Sequence, residues 1–199
     1  MESNAHAADA ASTDPKLLSA VEREARLREL DAPVRRYARV LAGIGFGGGL
    51  RFNNPYRLAT QFGTTGESLS ATAPYVTLSA AATFGAPDGL QHGGFTSISF
   101  ALTGVDQAVL TPGYMLLYRG PSRLLGYARV GPAFVLSPQT NVGGEIAVGS
   151  VFFLTGGLGV SLDLAGNIFY GASTWEKKYP VYPIVSVTAG LVVDLEVLP

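Results

Sequence analysis

From residue 39 onwards the chain alternates bulky apolar residues with small or polar ones at a period of two, eight times in succession. Such alternation specifies strands, because successive side chains of an extended backbone point to opposite faces. In the first stretch Val40, Ala42, Ile44, Phe46, Leu50 and Phe52 share one parity, and Arg39, Gly43, Gly45, Gly47, Gly49 and Arg51 share the other. The apolar side is thick and recurs in every stretch, whereas the other side is thin and polar. A soluble barrel needs the opposite arrangement. The chain therefore reads as an all-β barrel turned inside out, with lipid against its wall.

The remaining stretches repeat the pattern. Val76, Leu78, Ala80, Ala82 and Phe84 oppose Tyr75, Thr77, Ser79, Ala81 and Thr83; Ile98, Phe100 and Leu102 oppose Ser97, Ser99, Ala101 and Thr103. Tyr114, Leu116 and Tyr118 mark a fourth strand, and Ala128, Val130, Phe134 and Leu136 a fifth, against Tyr127, Arg129 and Gly131. Pro132 lies inside this fifth strand, where a closed sheet would require a bulge or a place beyond the paired region. Val142, Ile146, Val148, Phe152 and Leu154 face away from Glu145, Ala147 and Gly149. Leu158, Val160, Leu162, Leu164, Ile168 and Tyr170 face away from Ser161, Asp163, Ala165 and Asn167, and Val185 to Leu195 close the series against Ser186, Thr188, Gly190, Asp194 and Glu196. Connections 53–72 and 171–180 are long; 85–93, 119–123 and 155–157 are short or tight. The segments at 104–109 and 137–140 are shorter than strict alternation of loop length would give.

Charge is partitioned along the chain. Residues 1–39 hold 14 of the 29 charged side chains, and the net charge of −1 leaves no footprint for a nucleic acid partner. Cysteine is absent, which removes disulfides and thiolate chemistry. Two regions are expected: a tail and helix over residues 1–36, periplasmic or interfacial, and a barrel over 37–199. Within the first, Asp14 can cap and Pro15 suits the first turn of a helix to residue 31, with Leu17, Leu18, Val21, Ala25, Leu27 and Leu30 as a ragged stripe. It reads as a solvated helix, or as one that meets an envelope protein or the membrane surface where Arg35, Arg36, Tyr37 and Arg39 follow. The start lacks a basic, apolar export signal, and Ala5-His6-Ala7 resembles the end of a cleavage site, so a mature chain is expected.

Strands of this length match the ~9 to 11 tilted residues that cross a bilayer, and only a closed sheet crosses without unpaired backbone groups. The aromatics agree. An up-and-down order from a periplasmic start sets Phe52, Phe134 and Tyr170 at the outer rim and Phe84, Tyr118 and Phe152 at the inner rim, all on the outward parity. Taken together, strand count, loop asymmetry and girdles over residues 37–199 resemble the small eight-stranded outer-membrane barrels of Gram-negative bacteria, the OmpA-like and OmpX-like family. The resemblance implies an eight-stranded antiparallel up-and-down transmembrane β-barrel in the outer membrane, surrounded by lipid and lipopolysaccharide. The chain departs from that family in ending Leu195-Glu196-Val197-Leu198-Pro199, without a C-terminal aromatic.

Inward charges form the one constellation worth testing. Symmetric hairpins about residue 156 and about 138–139 would put Asp163 and Arg129 both opposite Gly149. Arg129 is then expected to reach over that glycine to Asp163, with Glu145 and Arg51 in the same network. An eight-stranded interior is just wide enough for its own side chains, so a plugged lumen is the leading expectation. His6 and His92 have no Ser and carboxylate arranged beside them, and no catalytic, metal or cofactor site is expected. Trp175, Lys177 and Lys178 form an outer loop that could touch lipopolysaccharide phosphates or a host surface, or simply be solvated. Three functions are open: a non-enzymatic plugged barrel serving envelope structure or surface contact, a narrow pore for small solutes, and a soluble lipocalin-like ligand barrel. The last would need Phe52, Phe84, Phe134 and Phe152 to point inward.

Overall fold

The computed structural model describes residues 37–52, 69–86, 89–104, 106–120, 123–173 and 178–198. Eight long strands form one antiparallel sheet: β1 (Tyr37–Arg51), β3 (Tyr75–Gly85), β4 (Gly89–Ala101), β5 (Ala108–Arg119), β6 (Leu124–Ser137), β7 (Asn141–Phe153), β8 (Leu158–Ser173) and β9 (Lys178–Leu198). Each pairs with the next, and β1 also pairs with β9, so the sheet closes on itself. A two-residue strand, β2 (Ser70–Ala71), returns inside the expected 53–72 loop to pair with Leu50 and Arg51. The proposed helix at 14–31 and the tail before it lie outside the described residues.

Register fixes the shape. One row of paired residues runs from Val40 through Ala82, Gly94, Tyr114, Val130, Ile146, Gly166 and Val185 and returns to β1 at Leu50. The row has climbed ten residues in one circuit. With about 3.3 Å per residue and about 4.8 Å between strands, that offset tilts the strands by about 40°. Strands of 11 to 15 residues over most of the wall then rise about 30 Å, the thickness of a bilayer's hydrocarbon core.

The parity read from the sequence holds around the ring. Ile146 is 65 % exposed, Phe84 53 %, Phe152 51 % and Tyr170 70 %; Phe52 and Tyr118 also face out, and Phe134 is half-buried on the same face. A soluble protein hides such side chains. Here the outside is apolar while Ser97, Ser161, Asp163, Ser186 and Asp194 are buried within, which is the arrangement lipid requires. The barrel is a transmembrane one. The soluble alternative, which needed the phenylalanines inside, is overturned by their orientation.

Pro132 needs neither a bulge nor a place beyond the sheet. It pairs with Gly144 on one side; on the other, the β5–β6 ladder runs to Leu110↔Phe134, lapses, and resumes at Tyr114↔Val130 in the same register. That register sets Pro132 against Pro112 in the gap. Neither proline has an N–H to give, so two missing donors interrupt the ladder once rather than twice.

Candidate functional site

The lumen is layered. At the end where the strands join by short turns, Arg39 meets Asp194 at 2.9 Å and Glu196 at 3.4 Å, and Arg119 also pairs with Asp194. The Arg119 guanidinium lies 4.9 Å from the centre of the Phe153 ring. Gln91, fully buried beside the β3–β4 turn, accepts from Thr83 and donates to the Ala86 carbonyl at 2.8 Å. Above this layer Leu41, Phe95, Met115, Leu117, Leu125 and Val151 pack into an apolar plug, with Leu117, Leu125 and Val151 each 1 % exposed. A second cluster, Ala133, Val135, Phe169, Tyr182 and Ile184, fills the β6–β9 side towards the loop end, where Phe169 stacks on Tyr182.

The charge network sits between the clusters. Arg129 reaches Asp163 (Nη1 to Oδ1, 3.0 Å) and Glu145 (Nε to Oε1, 3.1 Å), with its guanidinium 5.5 Å from the centre of the Phe95 ring. The route differs from the expected one. Arg129 is opposite Ala147, not Gly149; Tyr127 is the residue facing Gly149, and its hydroxyl donates to Asp163 at 2.6 Å. The β6–β7 hairpin is asymmetric: Val135 and Asn141 are its last pair, while Ser137 stays with β5 at a bulge beside Ala108. Tilt explains why the arginine still meets the aspartate. A row that gains ten residues over eight strands climbs about one and a quarter residues per strand. Two strands beyond Tyr127 it has risen to the height of Arg129, where Asp163 stands. Arg51 occupies the loop end of β1 on the row that leads through Ile184 and Asn167 to Glu145, and it lines the same cavity as the other three charges.

Glycines make this packing possible. Tyr75 faces Gly47, Phe95 faces Gly113, Tyr127 faces Gly149, Phe153 faces Gly159 and Phe169 faces Gly143. A Cβ on Gly149 would come within 2.6 Å of the Tyr127 ring, and one on Gly47 within 2.7 Å of the Tyr75 ring. Each of these five rings thus lies across a neighbouring strand's bare backbone. Gly149 is a spacer for Tyr127 rather than for Arg129.

No family model matches the chain, and no curated protein does. Solved structures with a similar fold include Neisserial surface protein A (NspA), 15 % identical over 78 % of this chain and 97 % of its own, TM-score 0.43. The outer membrane protein OprG from Pseudomonas aeruginosa is 11 % identical over 82 % and 98 %, TM-score 0.40. A structure from the de novo design of transmembrane β-barrels is 12 % identical over 80 % and 95 %, TM-score 0.40.

A cavity of about 160 Å³ remains in the lumen. It extends from Arg51, Thr72 and Gln107 at the loop end down to Leu117 and Val151. Of the expected outer-loop contact residues, Trp175 and Lys177 lie outside the described residues, and Lys178 opens β9 opposite Ser173. Among the polar groupings not singled out from sequence are two that bear on the lumen's layers: Tyr127 on Asp163, and Arg119 with Arg39 on Asp194. The first becomes visible once the β6–β7 register is corrected by two; the second spans β1, β5 and β9, which no hairpin relates.

Proposed function

We propose that this chain is a non-enzymatic barrel of the bacterial outer membrane whose lumen is blocked in its turn-end half and which acts through the loops at its other end. What supports the block is the stack of two layers there, the Arg39, Arg119 and Asp194 cluster beneath the plug of Leu117, Leu125 and Val151. An ion would have to part a packed apolar layer and then a paired ionic one. Trp175, Lys177 and Lys178 are proposed as the surface contact, suited to lipopolysaccharide phosphates. In planar bilayers the refolded protein is expected to be electrically silent. Regular conductance steps would overturn the block and favour the narrow-pore reading, for which the cavity at the loop end is the supporting observation.

A further inference from the structure

We infer that the loop-end half of the lumen is a binding cup for a small neutral polyol, of about six to ten heavy atoms. The size follows from the cavity of about 160 Å³, since about 150 Å³ holds a six-membered ring. The chemistry follows from the wall. Ser79, Ser97, Ser99, Thr111, Ser186 and Thr188 all line the cavity, and a hydroxyl can act as donor or acceptor by rotating. Such groups match a solute whose own hydroxyls do the same. Two of them already pair with neighbouring hydroxyls, Ser99 with Thr77 at 2.8 Å and Thr188 with Tyr75 at 2.9 Å, so part of the wall is oriented before a ligand arrives.

Charge argues against an ionic ligand. Arg129 is shared between Glu145 and Asp163, and Asp163 also accepts from Tyr127. A charged solute drawing on Arg129, Glu145 or Asp163 would have to break buried pairs, whereas a neutral one need not. Phe95 and Tyr75 also line the cavity and add apolar wall for the carbon side of a polyol. The glycines of β1 keep the space clear, because a Cβ on Gly43 would approach Ser79 Oγ to 2.9 Å. The cup rests on the proposed block, since an open floor would make it a passage.

The test is titration of isotope-labelled protein, refolded in detergent micelles, with D-ribose. Saturable amide shifts at Ser97, Thr111 and Thr188 are expected, with a dissociation constant on the order of 1 mM for so small a ligand. Ser97→Leu, which fills the cup, should weaken binding at least tenfold while heat-modifiable gel migration reports a folded barrel. Should that variant not fold, Thr111→Val removes a hydroxyl at constant volume and should weaken binding severalfold. No saturable shift in wild-type protein, shifts indifferent to both substitutions, or tighter binding of glutamate than of ribose would overturn the cup. Ribose efflux from proteoliposomes would instead overturn the blocked floor, so the two failures are distinguishable.

Discussion

An alanine at Gly149 would place its Cβ 2.6 Å from Tyr127 Cζ and 2.8 Å from Asp163 Oδ1. Movement of either neighbour alone would disturb the hydrogen bond between them. Gly149→Ala is therefore expected to destabilise the barrel by about 1–3 kcal/mol, measured by urea titration in lipid vesicles, and trimming the ring with Tyr127→Leu should recover part of that loss. Arg129 gives the sharper contrast. Arg129→Ala leaves two buried carboxylates without their cation, at about 3–5 kcal/mol, whereas replacing Arg129, Glu145 and Asp163 together with Met, Gln and Asn should cost far less. A triple variant as unstable as the single one would show that shape, not charge, sets the loss.

Among the strands, the β5–β6 seam has the longest gap, three pairs against one in β8–β9. Pro112 and Pro132 face each other there, and pairing resumes in register only beyond Gly113 and Gly131. Hydrogen exchange should accordingly open this seam before β7–β8, whose twelve pairs run unbroken from Val142↔Tyr170 to Phe153↔Gly159; equal protection along both would refute the idea. The barrel's strands and their facing were legible from Val40 to Leu195, because a period of two needs no knowledge of partners. Register was legible only where a hairpin is tight. The turn at 155–157 correctly set Gly149 against Asp163, whereas the hairpin at 138–140 misled by two residues, since Ser137 follows β5 rather than β7. The Arg119–Asp194 pair was hidden for another reason: it crosses the interior, and only closure brings β5 and β9 within reach.

At the scale of the molecule, the distribution of apolar surface makes a prediction about solvent. Ile146 sits mid-strand on the outer face. Ile146→Arg should cost about 2–4 kcal/mol of folding free energy in vesicles, as a cation near the bilayer midplane does. Were the barrel soluble, the same change would be neutral, so a variant of unaltered stability would remove lipid from the account. The folded protein should also migrate differently on gels before and after boiling in SDS, since a closed ladder offers detergent no edge to enter.

The ten-residue climb of the paired row has one more consequence. Inward and outward residues alternate, so a circuit that returned to β1 after an odd number of residues would bring a lipid-facing position against a lumen-facing one, and the sheet could not close. The climb can change only in steps of two. Tilt and radius are tied to it, so the width of this lumen is an integer property rather than an adjustable one. Mutation inside can refill the cup between Arg51 and Leu117, but widening it takes a two-residue slip of a whole seam, which keeps every parity while re-pairing every residue along it.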